Sequence, residues 1–142
     1  MEDKNEKARG KLGVVTIFNA RQRAVVRMAM TVQDTVKAAN GQQVQRTVKN
    51  KELKFPSMQE LEHYLSQLLA MQEGLCAVTG LSLQYDGEHE DKEMLCSLDR
   101  IDSDGHYEVG NLQVVCRFVN RWKGDSNDES FRRLIGVVRS VR

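Results

Sequence analysis

The stretch CSLDRIDSDGHYEVGNLQVVCRFVNRWK, residues 96–123, decides how this chain is read. Leu95 to Ile101 is an apolar, strand-like run with one acid inside it, Asp99. Asp102-Ser103-Asp104-Gly105 is a tight polar turn, and His106 to Val109 reads as a short return strand ended by Gly110. Asn111 is a good N-cap for an apolar segment from Leu112 to Trp122, which the spacing predicts as a helix. The local expectation is therefore strand, turn, strand, helix. A unit of about thirty residues buries too little surface to stand alone, so the rest of the chain must support it.

The chain has 142 residues, which fits one domain, and its 40% hydrophobic and 29% charged content is that of a globular protein. No apolar run approaches the roughly twenty residues of a membrane span, so no membrane association is expected. The first residues, MEDKNEKARGK, lack the apolar centre of a signal peptide. Three cysteines, Cys76, Cys96 and Cys116, are too few for a disulfide framework, and the cytoplasm is the expected compartment. The formal charge of +1 conceals a pattern. Residues 1–50 hold ten Lys/Arg against four Asp/Glu, residues 51–110 four against thirteen, and residues 111–142 seven against three. An acidic middle between basic ends suits a metal site flanked by polyanion-binding surface, and equally suits ordinary solvated faces.

Outside the central stretch, Val14 to Phe18 reads as a short strand or packing hook. Apolar residues at helical spacing predict a helix over 20–39, stopped by Asn40-Gly41. Arg21, Arg23 and Arg27 fall on its outer side, as a solvated face or as phosphate contacts. Residues 42–55 read as a loop or weak hairpin. Ser57 with Glu60 forms a capping box that opens a helix with Met58, Leu61, Leu65, Leu68, Leu69 and Met71 on its apolar stripe. His63 lies off that stripe. The acidic segment Tyr85 to Glu93 is expected as a flexible loop, with His89 either inert or a metal ligand. A last helix, capped by Asn127 or Asp128, should turn Phe131, Leu134, Ile135 and Val138 inward, with Arg132, Arg133, Arg139 and Arg142 outside.

The ordered series Cys76-x-x-Thr79-Gly80, Asp99-Arg100-Ile101-Asp102, Gly105, Tyr107, Gly110-Asn111, Cys116, Asn120, Lys123 resembles the HNH endonucleases, the His-Me finger or ββα-metal family, in its compact phage and bacterial form. The resemblance runs from Cys76 to Leu134. It implies an α+β fold: a mainly helical small domain built around a ββα-metal hairpin–helix unit. Residues 56–142 would form that domain, and residues 1–55, which match nothing in the family, a helical, basic N-terminal extension.

The same resemblance implies a metal-dependent endonuclease acting on DNA, with double-stranded DNA the expected substrate and a protein partner or homodimer open. Asp99 and Asn120 would hold a divalent cation, Mg²⁺ or Mn²⁺, through oxygen donors. Asn111 would pin the hairpin loop, and Arg117, Arg121 and Lys123 would line the phosphate backbone. Two departures stand out. Arg100 occupies the place of the family's catalytic His, and an arginine, always protonated, cannot accept a proton from water. It is left to clamp the phosphate or to pair with Asp99 or Asp102. Water activation would pass to metal-bound hydroxide, His106 or Tyr107, unless His106 is a turn residue without function. The family's two CxxC pairs are also halved to Cys76 and Cys116, so a structural Zn²⁺ is not expected. The competing readings are a nucleic-acid-binding module without turnover, and a partner-binding subunit using residues 86–93 as a nucleic-acid mimic.

Overall fold

A computed structural model describes residues 18–41 and 52–141, apart from the side chains of the last residues of the first helix. The expectations for residues 14–17 and most of 42–55 lie outside it. Among the described residues the chain is a small α+β domain of four α-helices and one two-stranded antiparallel sheet.

Helix α1 (Ala20–Gly41) starts at a reciprocal cap. The Gln22 amide N–H donates to Asn19 Oδ1 and the Asn19 N–H donates to Gln22 Oε1, which satisfies two otherwise orphaned donors. Its face of Ala24, Val25, Met28, Ala29 and Val32 is buried. Helix α2 (Met58–Met71) begins where Ser57 Oγ accepts from the Glu60 N–H, as the capping box predicts. It buries Leu61, Leu65, Leu68 and Leu69, while Met71, placed on the stripe by the sequence reading, is 78% exposed at the helix end.

Strands β1 (Cys96–Arg100) and β2 (Leu112–Cys116) pair from Cys96↔Cys116 to Arg100↔Leu112. Helix α3 (Arg117–Lys123) follows β2 directly, and helix α4 (Asp128–Ser140) starts at Asn127, whose Oδ1 accepts from the Ser130 N–H. This corrects two boundaries. Leu112–Cys116 is strand, and the helix begins only at Arg117. The segment expected as the return strand, 106–109, pairs instead with the chain N-terminal to α2. The Tyr107 N–H donates to Glu52 O, and the Lys54 N–H to Tyr107 O.

One hydrophobic core joins α1 to α2 and the hairpin. The Gln72 side chain, just past α2, clasps the sheet: its Nε2 donates to the carbonyls of Leu75 and Val114, and its Oε1 accepts from the Val114 N–H. All five β2 residues are buried. Helix α4 buries Phe131 and Ile135 only. Leu134 and Val138, expected inward, are 45% and 54% exposed.

Gln72→Ala leaves the Val114 N–H without its partner and takes one of two donors from the Val114 carbonyl, which still accepts from the Ala77 N–H. We expect a loss of about 1–3 kcal/mol of unfolding free energy, measured by urea titration, with the helical signal retained. Gln72→Glu, which keeps the acceptor for the Val114 N–H and loses the donor, should fall between.

Candidate functional site

The site is built where α3 lies along β1. Ser97 and Asp99 project to one side of the strand because they are two residues apart. Asn120 and Lys123 share one face of the helix because they are three apart. The pairs interlock. Asn120 Nδ2 donates to Ser97 Oγ at 2.7 Å and to the Leu98 carbonyl at 3.1 Å. Lys123 Nζ donates to Asp99 Oδ2 at 2.6 Å and to the carbonyls of Arg100 and Ile101 at 3.0 and 3.3 Å.

Lys123 is fully buried, its side chain 0% exposed, and a second carboxylate oxygen, Asp128 Oδ1, stands 3.3 Å from Nζ. Expected on the phosphate-binding surface, it is instead enclosed by four oxygens of the protein. The physical reason is Asp99, which is itself buried and would lack a counter-charge without it. Gln113, opposite Asp99 in the register, donates through Nε2 to Asp99 Oδ2 and to Asp128 Oδ1, both at 2.9 Å. Arg132 closes the network on Asp128 Oδ2 and Gln113 Oε1. Burial alone would raise the Asp128 pKa. The hydrogen bonds from Arg132 and Gln113 and the charges of Arg132 and Lys123 outweigh it and hold the carboxyl below its ordinary value of 3.8.

Asp99 and Asn120 thus each have one polar atom tied down and one oxygen left over. Among the described residues no hydrogen bond reaches Asp99 Oδ1 or Asn120 Oδ1. Asn120 lines a groove of about 170 Å³ between β1 and α1, together with Ser97, Leu98, Tyr107 and Arg27. Asp99 does not line that groove; the two oxygens, one carboxylate and one amide, are each of the type a hard cation takes. No cluster of three His, Cys, Asp or Glu side chains suited to a metal occurs among the described residues.

Asn111 braces the hairpin rather than capping a helix. Its Oδ1 accepts from the Asp102 N–H at 2.8 Å, and its Nδ2 donates to the carbonyls of Asp102 and His106 at 3.1 and 2.9 Å. A Cβ on Gly105 would stand 2.7 Å from Asn111 Nδ2, so the clasp requires glycine there. Arg100 pairs with neither Asp99 nor Asp102. Its Nη1 donates to the Gly105 carbonyl at 2.7 Å and its guanidinium lies over the Tyr107 ring, 5.1 Å from the centroid. His106 Nδ1 accepts the Glu52 N–H at 3.0 Å. In the neutral imidazole that leaves the proton on Nε2, so the free nitrogen is a donor and not a base.

Arg117 is exposed, while Arg121 is paired with Glu93. The α1 arginines are partly exposed and also tie the helix to its neighbours. Arg27 makes a forked pair with the Asp86 carboxylate and donates to the Cys96 carbonyl, Arg23 donates to the Asp86 carbonyl, and Arg21 reaches Ser66 O. The opposite charge blocks of residues 1–50 and 51–110 carried that signal. His89 sits in the acidic segment with its Nδ1 buried and unpartnered. The CxxC positions hold Cys76, Thr79, Cys116 and Val119, all buried. A hydrogen bond between the two thiols lowers the pKa of Cys76, against its burial, and raises that of Cys116. Comparison with protein-family models, curated proteins and solved structures finds no match to this chain.

Lys123→Ala strips a buried carboxylate of its counter-charge and should cost about 3–5 kcal/mol in urea unfolding. Lys54→Ala, which removes a surface pair to Glu108 at 4.0 Å, should stay within about 1 kcal/mol. The depressed Asp128 pKa gives a pH dependence of definite sign. Its contribution is complete above 3.8 and is lost as pH falls through the lower folded-state value, so Asp128→Asn should flatten the acid limb of the stability curve.

Proposed function

We propose that this chain is a metal-dependent endonuclease of the HNH type that hydrolyses phosphodiester bonds in DNA. The observation that carries the reading is the pair of free oxygens, Asp99 Oδ1 and Asn120 Oδ1. Each belongs to a side chain whose other polar atom is fixed, by Lys123 and Gln113 in one case and by Ser97 and Leu98 in the other. Metal-ligating side chains are held in this way by a surrounding set of hydrogen bonds. A divalent ion bound by these two oxygens and water supplies charge stabilisation at the phosphate. The ββα order of β1, β2 and α3, with Asn111 tying the hairpin loop, supports the same reading.

The chain's own residues then have distinct tasks. Asn111 keeps the turn from 102 to 106 in one shape. Arg100, half-buried and stacked on Tyr107, offers its remaining N–H groups to a phosphate oxygen and stabilises negative charge there. Arg117, exposed at the start of α3, meets the phosphate backbone, giving salt-sensitive affinity. Neither Arg100 nor His106 acts as general base, since Arg100 is always protonated and His106 presents a donor. Turnover is therefore expected about 10²–10⁴ below that of a site with a positioned base. The same lack favours a second reading, a nucleic-acid-binding module without turnover.

Relaxation of supercoiled plasmid with Mg²⁺, Mn²⁺ or EDTA separates the two. The nuclease reading predicts nicking that needs metal, is lost in Asp99→Asn and Asn120→Ala, and rises in Arg100→His. A wild type that retards DNA in a salt-sensitive way but leaves it uncut under every metal condition contradicts cleavage and supports the second reading.

A further inference from the structure

Among the described residues, Lys123 is the one that touches a candidate ligand, the end of the strand carrying it and the start of α4. From these contacts we infer that Lys123 is a positioning residue: it orients the Asp99 carboxylate for a divalent cation, and Asp128 steadies it in turn. The inference rests on the proposed metal site and adds to it an assignment for a side chain that touches neither metal nor DNA.

The geometry supports a role beyond charge neutralisation. A lysine that merely paired with Asp99 would need one carboxylate oxygen. Lys123 Nζ is surrounded by four acceptors from three places: Asp99 Oδ2, the carbonyls of Arg100 and Ile101, and Asp128 Oδ1. An ammonium has three N–H groups, so this cage leaves it no freedom to turn. Asp99 Oδ2 also accepts from Gln113 Nε2, whose amide is fixed at its other end by Arg132. Two donors on one oxygen set the plane of the carboxylate and leave Oδ1 as the atom without a protein partner. The anchors of the cage are themselves braced. Asp128 is gripped by Arg132 at 2.8 Å, and Arg132 also donates to the Ala77 carbonyl at 3.0 Å, a link from α4 to the segment after α2. The Asp99 orientation thus depends on a chain of contacts running through α3 into α4.

Cationic Lys123 beside a metal ligand has an opposite potential effect, since its charge repels an incoming cation. The two effects predict opposite outcomes when the ammonium is removed. Binding of Mn²⁺ is measured from the loss of the free-ion electron paramagnetic resonance signal, for the wild type, Lys123→Met, Asp128→Asn and Asp99→Asn. Urea unfolding of each variant checks that it is folded. Positioning predicts that Lys123→Met weakens Mn²⁺ binding by about 10–100-fold, the range set by other residues that hold ligands from outside. Asp128→Asn, which keeps the ammonium and loses one charge of its cage, should weaken binding several-fold. If Lys123→Met does not fold, the Asp128→Asn result decides once Asp99→Asn has been shown to abolish binding, because Asp128 also lines an acidic cleft with Asp102, Asp104, Asp125 and Glu129. Binding that survives Asp99→Asn overturns the metal site. A wild type that binds Mn²⁺, with Lys123→Met or, in its place, Asp128→Asn binding as tightly or more tightly, overturns the positioning role alone. A wild type that takes no Mn²⁺ overturns the metal site and this inference with it.

Discussion

A lysine ammonium with no access to water holds this hairpin–helix unit together. Taking an ammonium and a carboxylate out of water costs several kcal/mol per ion, and attraction between them offsets that only with good geometry and further hydrogen bonds. Lys123 and Asp99 meet both conditions at 2.6 Å, with two carbonyls and Asp128 taking up the rest of the ammonium. The consequence is register. If α3 slid by one residue along β1, a charge would be buried without its partner, and Asn120 would lose Ser97. The remaining helices follow from this docking. Helix α4 is led back by Asp128, and α1 and α2 close the other side of the sheet through apolar packing and the Gln72 clasp.

Much of this was legible in the sequence, in proportion to how local the signal was. The Ser57 cap, the helix spanning 58–71 and the polar turn at 102–105 depend on neighbours within a few residues and are legible in the sequence. The run Leu112–Cys116 was read as helix because a strand buried on both faces shows no alternation, and a short apolar run does not distinguish the two. The segment 106–108 is extended but pairs with residues 52–54, a partner 54 residues away that no local pattern indicates. The last helix has an apolar stripe longer than the body that covers it, which explains why Leu134 and Val138 were placed inside and lie outside.

The candidate site was legible as residue types and not as geometry. Asp99, Asn111 and Asn120 were singled out at positions the structure gives specific hydrogen bonds. Lys123 was placed on the surface because lysine is almost never fully buried unless paired. The signal that indicates otherwise is the joint presence of Asp99 and Gln113 on facing strands, both inside an apolar context and both needing a partner. Gln113, Arg132 and Asp128 were missed as a network because they act through each other, and sequence spacing does not show which side chains meet across elements. Arg27 was missed for the opposite reason. A helix far from the hairpin in sequence lies beside it in space, so the groove that Asn120 lines has a wall from α1.

Among the described residues, an acidic cleft competes with the Asp99 and Asn120 oxygens as the place to which a cation would go. The cleft of about 590 Å³ beside Asp128 gathers Asp102, Asp104, Asp125 and Glu129, a stronger concentration of negative charge than the groove at Asn120. Charge alone favours the cleft, whereas anchored free oxygens favour Asp99 and Asn120. Paramagnetic broadening of backbone amide resonances by sub-stoichiometric Mn²⁺, in an assigned ¹H–¹⁵N spectrum, distinguishes them directly. The account predicts the strongest broadening at Ser97, Leu98, Asp99 and Asn120. Broadening centred on residues 102–104 and 125–129, with Asn120 unaffected, would contradict it.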